Sequence, residues 1–420
     1  MKIQIWKFNF SISLLLLTTV VLTAVWPIFA QSAADEKMSD ELKSVLKTSQ
    51  KNQEKACREQ KPELKRTYSF RDTTRQHLFN ERGERILPDG FAKAFGVPPR
   101  YAWLRKIVPF WRAPVDKYAL SVHSFKELTA REVPVNESGR SRNFRLNFEK
   151  QLDEETTREA LQPKFDWRDP EHRLVFSPVE FQGWYCNNCW AVSAVEAMQI
   201  SRQLLSLRTR NTNLDEKSLF APRPRQLGVC WALKNRKEPE DSCQFNWHGE
   251  AFSHIVAEGM PLDGTISESP FSMGLETFCS ANTFVKAMTW DYVSSVPHEV
   301  ASTEEIKRAL ITYGPIVTTL VFDDCLNLYG GGVFNEEQNW NIDIASGRKT
   351  IKPGNHILLI VGWDDAKGAW LVKNSYGIEW GENGYGWIKY GSNNIGQFAA
   401  WILADPNEKM ITLNQPVREN

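Results

Sequence analysis

The sequence predicts a globular α+β chain on three observations. Small and apolar residues recur at helical spacing over residues 191–198, directly after two closely spaced cysteines. Two apolar runs typical of strands occupy residues 357–363 and 369–373, and a Glu-Asn-Gly turn at 382–384 predicts a hairpin. With 420 residues and 42% hydrophobic content, the chain can bury one large core or two moderate ones.

The charge balance argues against a nucleic-acid partner. Lysine and arginine total 51, aspartate and glutamate total 51, and the formal net charge is therefore zero. A protein that binds phosphate backbones usually carries clustered positive charge, and this composition shows no such excess. We therefore predict no nucleic-acid binding, and we assign no cofactor or metal ion.

The N-terminus predicts export. Lys2 and Lys7 precede an apolar run over residues 10–30 that ends in a small residue. This order is typical of a secretory signal peptide at residues 1–30. The run is about 20 residues long, so an uncleaved membrane anchor is the alternative, and only then would the chain contact a membrane. In both cases we expect an extracellular, periplasmic or lysosome- or vacuole-like compartment, where disulfides can form.

The next stretch, residues 31–162, is charged and favours helix. Lysine, glutamate and glutamine are dense over residues 36–65. Taken alone, this composition indicates a solvated helical extension ahead of the more apolar remainder. We therefore predict a mainly helical segment here.

Two cysteines mark the most informative stretch of the chain. Cys186 and Cys189 are followed by Trp190 and the helical pattern, so we expect Cys189 at a helix N-terminus. The N–H groups and partial positive charge at that position lower a thiol's pKa towards the reactive thiolate. On spacing alone, the pair is equally compatible with a structural disulfide or a redox pair.

The flanking residues separate these alternatives. Gln182, Cys186 and Cys189 occur in the order found in the catalytic segment of the papain family of cysteine peptidases, which this stretch resembles. The resemblance implies that Cys189 is the nucleophile, that Cys186 is held in a disulfide and that Gln182 helps to form the oxyanion hole. It continues over residues 163–405, which implies a two-lobed fold with a helical lobe and a β-barrel-like lobe. Residues 406–420 remain as a C-terminal tail.

The second half of the chain supplies the base. His356 stands before one strand pattern and Asn374 ends the next, so the two side chains can meet where the strand ends lie side by side. A lone histidine before a strand is more often a packing or capping residue, but the similarity extends through Trp380. It implies that His356 is the base and that Asn374 fixes its orientation. It also implies that Trp380 shields their hydrogen bond and borders the substrate.

Disulfides are implied by the resemblance alone. Family order implies two pairs, Cys186 with Cys243 and Cys230 with Cys279. Four cysteines nevertheless allow three connectivities. Cys57 and Cys325 remain without a predicted role.

The segment ahead of residue 163 resembles the inhibitory propeptide of the same family. The resemblance covers residues 70–133 and is clearest around Phe125, where such propeptides cross the active-site cleft. A covalently attached segment has a high effective concentration, so it can hold the cleft closed. We therefore expect an inactive precursor that is activated by a cut within residues 145–164, with acid pH as the trigger.

The chain departs from the family pattern beside the substrate cleft. Phe245 and Asn246 stand where the family has two glycines, and Gln182 lies one residue farther from Cys189 than usual. Side chains at the glycine positions are expected to narrow the subsites that bind the substrate backbone.

Two functions of different classes therefore stay open. One is an exported cysteine endopeptidase that is made as a zymogen and hydrolyses polypeptide substrates. The other is a catalytically impaired papain-fold protein that binds or inhibits. A thiol–disulfide oxidoreductase is a third class, but that chemistry would need neither His356 nor Asn374.

Overall fold

The structure is a computed structural model, and it describes residues 48, 51–52, 54–59, 66–70, 138–180, 182, 188–209, 227, 246–261, 283–342, 349–406 and 411–412. The predicted signal peptide and the stretch around Phe125 lie outside these residues. Within them, no helix combines the length and the apolar character that crossing a membrane requires.

The helices lie in both halves of the chain. Their bounds are α1 Gly139–Ala160, α2 Cys189–Thr209, α3 His248–Ala257, α4 Thr303–Tyr313 and α5 Asp324–Asn327. Residues 51–52 and 54–59 are also helical, and short 3-10 turns occupy Pro170–His172 and Ser392–Asn394. The helix predicted after the two cysteines is α2, and it begins at Cys189 itself.

Most strands of the described residues belong to one large sheet. The strand bounds are β1 Tyr68–Phe70, β2 Lys164–Asp166, β3 Met260–Pro261, β4 Thr283–Val285, β5 Ala287–Tyr292, β6 Ile316–Leu320, β7 Tyr329–Phe334, β8 Trp340–Ile342, β9 Lys349–Ile351, β10 His356–Asp364, β11 Ala369–Lys373, β12 Tyr385–Lys389, β13 Gln397–Ala404 and β14 Ile411–Thr412. The sheet has the order β1-β7-β12-β11-β10-β6-β13-β5, with β2 paired to β10. Its pairs are antiparallel except β12 with β7, which are parallel. The two strands predicted from apolar runs are β10 and β11.

The core forms where α2 packs along β10 and β13, with α3 on its other side. Trp190 and Met198 of α2 are fully buried, and so are Trp363 and Trp370 of the sheet. Because neighbours surround α2, small and apolar side chains line most of its circumference. This packing fixes the first turn of α2 against the sheet and confirms the predicted α+β class.

Helix α1 belongs to the folded body. It packs on α4, with Phe148 and Leu152 buried and Thr156 Oγ1 lying 3.1 Å from Thr312 Oγ1. Proteases act on accessible, extended chain, so a cut within a packed helix first requires local unfolding. A cut within residues 145–160 would therefore require local opening of α1, whereas residues 161–164, directly after the helix, are exposed. The expected cut within residues 145–164 stays a prediction.

A second part of the predicted extension also joins the body. Strand β1 pairs with β7 at the edge of the large sheet, and Cys57 forms a disulfide with Cys325. The sequence predicted helix in this region and gave these two cysteines no role. Both features depend on contacts between residues more than 250 positions apart, as in the separation of 268 between the two cysteines.

Candidate active site

Cys189 lies where α2 meets β10. It is the first residue of α2, it is 2% exposed, and it is not in a disulfide. The backbone of Ile357 forms a hydrogen bond with the sulfur. Ser193, one helical turn further on, donates its hydroxyl to the Ile357 carbonyl at 3.4 Å. These contacts join the start of α2 to β10 at the residue that follows His356.

His356 and Asn374 meet at the ends of two paired strands. His356 opens β10, and Asn374 follows the last residue of its antiparallel neighbour β11. His356 Nε2 lies 2.8 Å from Asn374 Oδ1, and the Ser375 backbone N–H donates to the same oxygen at 2.8 Å. An oxygen that accepts from Ser375 also accepts from the ring, so Nε2 carries a hydrogen. In the neutral ring, Nδ1 is then the basic nitrogen.

Two aromatic rings cover this histidine. The ring centroids of Phe322 and Tyr376 lie 4.7 and 4.9 Å from that of His356. Trp380, the shield implied by the resemblance, is fully buried, and its indole N–H donates to the Leu326 carbonyl at 2.9 Å. Its role as a shield of the His356–Asn374 bond stays a prediction. Phe322 carried no signal in the sequence, because only the β6–α5 connection brings it to the site.

Gln182 is oriented by the residue after Asn374. Its backbone N–H donates to the Ser375 carbonyl at 2.9 Å, and the Ser375 hydroxyl donates to Gln182 Oε1 at 2.5 Å. With Oε1 bound to the Ser375 hydroxyl, the Nε2 donor of Gln182 points away from Ser375. The sequence gave Ser375 no role, although its place next to Asn374 was a usable signal.

A buried ion pair supports the chain just before Gln182. Lys373 Nζ lies 2.8 Å from Glu196 Oε1, and both side chains are almost fully buried. The lysine also donates to the Ser177 carbonyl at 2.8 Å, and the Ser177 N–H donates to Glu196 at 3.1 Å. A buried pair of this kind tolerates little displacement, because separating the charges would leave each without compensation. It therefore ties the segment before Gln182 to both α2 and β11.

Burial shifts the pKa values of Cys189 and His356 in opposite directions. It raises the pKa of the Cys189 thiol to about 12, although backbone hydrogen bonds from Ile357 and the first turn of α2 act in the opposite direction. Burial also lowers the pKa of His356 to about 4, against the raising effect of the Asn374 hydrogen bond. Desolvation disfavours the charged form of each group. Burial thus acts against the charged form of both groups, whereas the N-terminus of α2 acts in favour of a thiolate.

The implied substrate-binding and disulfide residues are described only in part. Those outside the described residues are Phe245, Cys186, Cys230, Cys243 and Cys279. Asn246 precedes α3, and its Nδ2 group is buried with no hydrogen-bond partner among the described residues. Next to it, the ring of Trp247 packs edge-on against Phe398 with centroids 4.4 Å apart. Asn246 therefore adjoins an aromatic cluster that narrows the space beside α3.

His248, the first residue of α3, predicts a pH dependence of stability. It is fully buried with Nε2 2.9 Å from the Phe398 carbonyl, and burial lowers its pKa to about 3. An unfolded histidine titrates near pH 6.5, so this contribution to stability is complete above that pH and is lost as the pH falls towards 3. We expect the free energy of unfolding to decrease by about 2 kcal/mol from this group between pH 7.5 and 4.5.

Urea unfolding of the wild type and of His248→Gln at both pH values measures that contribution. The glutamine amide can donate to the same carbonyl but does not titrate. The variant should lose less stability on acidification than the wild type does. Equal losses in the two proteins would show that His248 does not carry the dependence.

One surface group could hold a cation. Ligand atoms of Asp169, Glu171 and His172 lie within 4.8 Å of one another, and the two carboxylates are exposed. Exposed acidic groups of this kind are common without a metal ion. The group lies in the turn after β2, and none of its residues takes part in the contacts around Cys189.

Comparison with known proteins identifies the family. Residues 161–403, more than half of the chain, match the family model described as "Papain family cysteine protease". The chain therefore belongs to the papain family of cysteine proteases. Its papain-like α+β fold and its class, cysteine-type peptidase, agree with the resemblance seen in the sequence.

Individual relatives are distant. A cathepsin L-like proteinase of Phaedon cochleariae is 26% identical over 274 residues, which cover 64% of this chain and 72% of that protein. The thiol protease aleurain of Arabidopsis thaliana is 26% identical over 283 residues, which cover 66% and 69%. Among solved structures, digestive procathepsin L 3 of the Tenebrio molitor larval midgut is 22% identical, with a TM-score of 0.43 and coverage of 58% and 70%.

Proposed function

We propose that the protein is an exported cysteine endopeptidase, made as a zymogen, that hydrolyses peptide bonds through Cys189, His356 and Asn374. The observation that carries this proposal is the contact of the Cys189 sulfur with Ile357, beside a histidine whose Nε2 is bound by Asn374. A nucleophile, a base and a group that orients the base form the minimum for this chemistry.

The reaction begins with a proton transfer. When the site admits water and substrate, Cys189 gives its proton to Nδ1 of His356, and the Asn374 hydrogen bond at Nε2 keeps the ring in place. The thiolate attacks the peptide carbonyl. His356 then protonates the leaving amine, and water hydrolyses the thioester while the imidazole takes up its proton.

The oxyanion of the tetrahedral intermediate needs donors that are already in position. The Cys189 backbone N–H at the start of α2 is one, and Gln182 Nε2 is the other. Ser375 holds Oε1 of that amide, so the side chain need not reorient during the reaction. The extra residue between Gln182 and Cys189 is compatible with this arrangement, because Gln182 is anchored to Ser375 through both backbone and side chain.

Burial supports the zymogen part of the proposal. Burial disfavours the thiolate and the imidazolium that the reaction needs, as a precursor of low activity requires. We expect activation to let water reach the pair and to return both pKa values towards their usual ranges. Export is supported by the signal-like residues 1–30 and by the Cys57–Cys325 disulfide, which is typical of oxidising compartments.

Labelling with an epoxide or vinyl-sulfone inhibitor tests the proposed function. Peptide mapping of the trimmed protein should place the adduct on Cys189, and labelling should block hydrolysis of a peptide reporter. Cys189→Ser is the matched control, because it keeps the size of the side chain but loses the reactive sulfur. A folded protein whose Cys189 is not labelled would favour the impaired, binding alternative.

Latency gives a second prediction. The intact precursor should hydrolyse a peptide reporter at least about tenfold more slowly than protein cut within residues 71–137, since the attached segment competes with substrate at high effective concentration. Initial rates before and after limited proteolysis measure the difference, and a titrating inhibitor normalises them to the number of active sites. Equal rates for cut and uncut protein would contradict the zymogen assignment.

The residues after Cys243 give a third prediction. Side chains at Phe245 and Asn246 should keep an extended substrate backbone away from the enzyme, so the double variant Phe245→Gly, Asn246→Gly should hydrolyse small dipeptidyl reporters faster. We expect kcat/KM to rise about tenfold, or roughly 1.4 kcal/mol. Circular dichroism and thermal melting control for folding. A folded double variant with unchanged or lower kcat/KM would show that these side chains belong to the recognition surface.

A further inference from the structure

One disulfide joins two parts of the chain that the zymogen mechanism would separate. Cys57 lies in the predicted propeptide and Cys325 lies in α5 of the peptidase body, with their Cα atoms 5.6 Å apart. Both residues are almost fully buried. A cut of the backbone anywhere within residues 71–137 therefore leaves the N-terminal piece covalently attached.

Strand β7, at the edge of the large sheet, has a backbone that accommodates the N-terminal segment closely. Strand β1 pairs antiparallel with β7, and the Val333 N–H donates to the Thr67 carbonyl at 3.0 Å. Gly332 of β7 has φ +85°, and a Cβ there would lie 2.5 Å from the Thr67 carbonyl oxygen. Glycine is thus required both by its backbone angle and by the close approach of the added strand. Without β1, β7 would be an open edge of the sheet.

A buried polar contact sets the register. Arg66 Nε lies 3.1 Å from Glu336 Oε1, and the Tyr68 hydroxyl donates to the same oxygen at 2.5 Å. Glu336 is only 2% exposed, and the Tyr68 ring packs 4.7 Å from that of Phe334. Loss of the segment would remove a guanidinium and a hydroxyl from a buried carboxylate, which is strongly unfavourable. A segment meant for release would not be expected to satisfy a buried charge in the body.

The segment that contains Cys325 also contacts His356. Three residues before Cys325, Phe322 packs on His356 with ring centroids 4.7 Å apart. Its backbone is held on both sides by Asn355, whose Oδ1 accepts from the Phe322 N–H at 2.6 Å and whose Nδ2 donates to its carbonyl at 2.9 Å. One residue after Cys325, the Leu326 carbonyl accepts the Trp380 indole N–H. The disulfide thus fixes a short helix between the catalytic histidine and the sheet edge.

From these contacts we propose that the N-terminal segment that contains Cys57 and β1 stays in the mature peptidase as a permanent second chain, held by the Cys57–Cys325 disulfide, and that it positions Phe322 against His356. The proposal rests on the proposed function, since it concerns the product of zymogen cleavage. Maturation then removes the central part of residues 31–162, and both ends of that stretch stay attached to the peptidase body. The N-terminal flank remains through the disulfide and β1, and helix α1 remains through its packing on α4.

Mass analysis of the cut protein tests the two-chain architecture. Full-length precursor is cut with trypsin, whose sites are plentiful within residues 71–137, then alkylated and separated under denaturing conditions with and without reductant. The fragment that contains Cys57 should stay with the catalytic chain without reductant and be released with it. Cys325→Ser should release the fragment without reductant. Release from the wild type without reductant would overturn the proposal.

This readout does not depend on catalysis. An inactive protein that still shows the two linked chains would contradict the proposed function while leaving the architecture intact. An active protein that loses the fragment would contradict the two-chain architecture while leaving the proposed function intact. Should the serine variant fail to fold, the wild-type comparison with and without reductant still decides the result.

The positioning role has its own test. In Cys57→Ser, kcat for a peptide reporter should fall about tenfold with KM little changed, because a small displacement of a catalytic group has a large effect on rate. The pH profile for alkylation of Cys189 should also shift, because water reaches His356 when the Phe322 ring is held less firmly. Lys55→Ser changes an exposed residue of the same segment and is the control. It should change neither kcat nor the pH profile of alkylation. A variant with lower thermal stability but unchanged kcat and profile would overturn the positioning role.

Discussion

Cys189→Ala is expected to abolish peptide hydrolysis and self-processing while leaving a folded precursor. Only the sulfur and its contact with the Ile357 backbone are lost, and the bond from the Ser193 hydroxyl to the Ile357 carbonyl still joins α2 to β10. Loss of a nucleophile within a working triad usually lowers kcat by about 10⁴-fold or more. The measurement is the reporter rate of trimmed variant and wild type, together with the fragment pattern of the precursor over time.

One further variant makes this result specific. Cys189→Ser tests whether an oxygen nucleophile can replace sulfur beside a neutral histidine, and we expect nearly as large a loss. Thermal melting and circular dichroism should match the wild type in both variants. A folded Cys189→Ala protein that keeps the wild-type rate would sink the assignment of the nucleophile and of the peptidase mechanism.

Gln182→Ala is expected to have the second largest effect. Removing one preorganised oxyanion donor usually lowers kcat by about 10²–10³-fold, or roughly 2.7–4 kcal/mol. KM should change little, because the donor acts on charge that develops only in the transition state. Reporter kinetics at saturating substrate measure the effect directly. A variant that raises KM and keeps kcat would show that Gln182 binds substrate rather than the oxyanion.

Ser375 provides a matched comparison for Gln182. Its hydroxyl holds Gln182 Oε1, so Ser375→Ala should allow the amide to rotate while leaving the donor present. We expect a loss in kcat of about tenfold, smaller than that of Gln182→Ala. In the double variant the two losses should not add, because both act through the same amide. Full additivity would show that Ser375 acts independently of Gln182.

The burial of Cys189 and His356 connects these experiments. Phe322 and Tyr376 pack on the His356 ring, and burial raises the pKa of the Cys189 thiol and lowers the pKa of His356. The second chain that we propose is bound to Cys325 and thereby positions Phe322 against the same histidine. Activation then has two physical parts: removal of whatever excludes water from the pair, and retention of the contacts that keep the histidine in place.

The sequence by itself determined the elements whose signals are local. Helix α2 and its start at Cys189 followed from small and apolar residues at helical spacing, and β10 and β11 followed from short apolar runs. The family was visible from the order of Gln182, Cys186 and Cys189. These features depend on neighbouring residues or on fixed spacing, so a single chain read from end to end contains them.

Only the tertiary structure decided the features that join distant residues. The Cys57–Cys325 disulfide, the pairing of β1 with β7 and the packing of Phe322 on His356 all require the folded sheet. The burial that raises the pKa of Cys189 is also a tertiary feature, because it depends on the whole surrounding fold, whereas the helix N-terminus is a local effect. Spacing along the chain indicates which residues carry the chemistry, but burial and long-range contacts decide the state in which they are held.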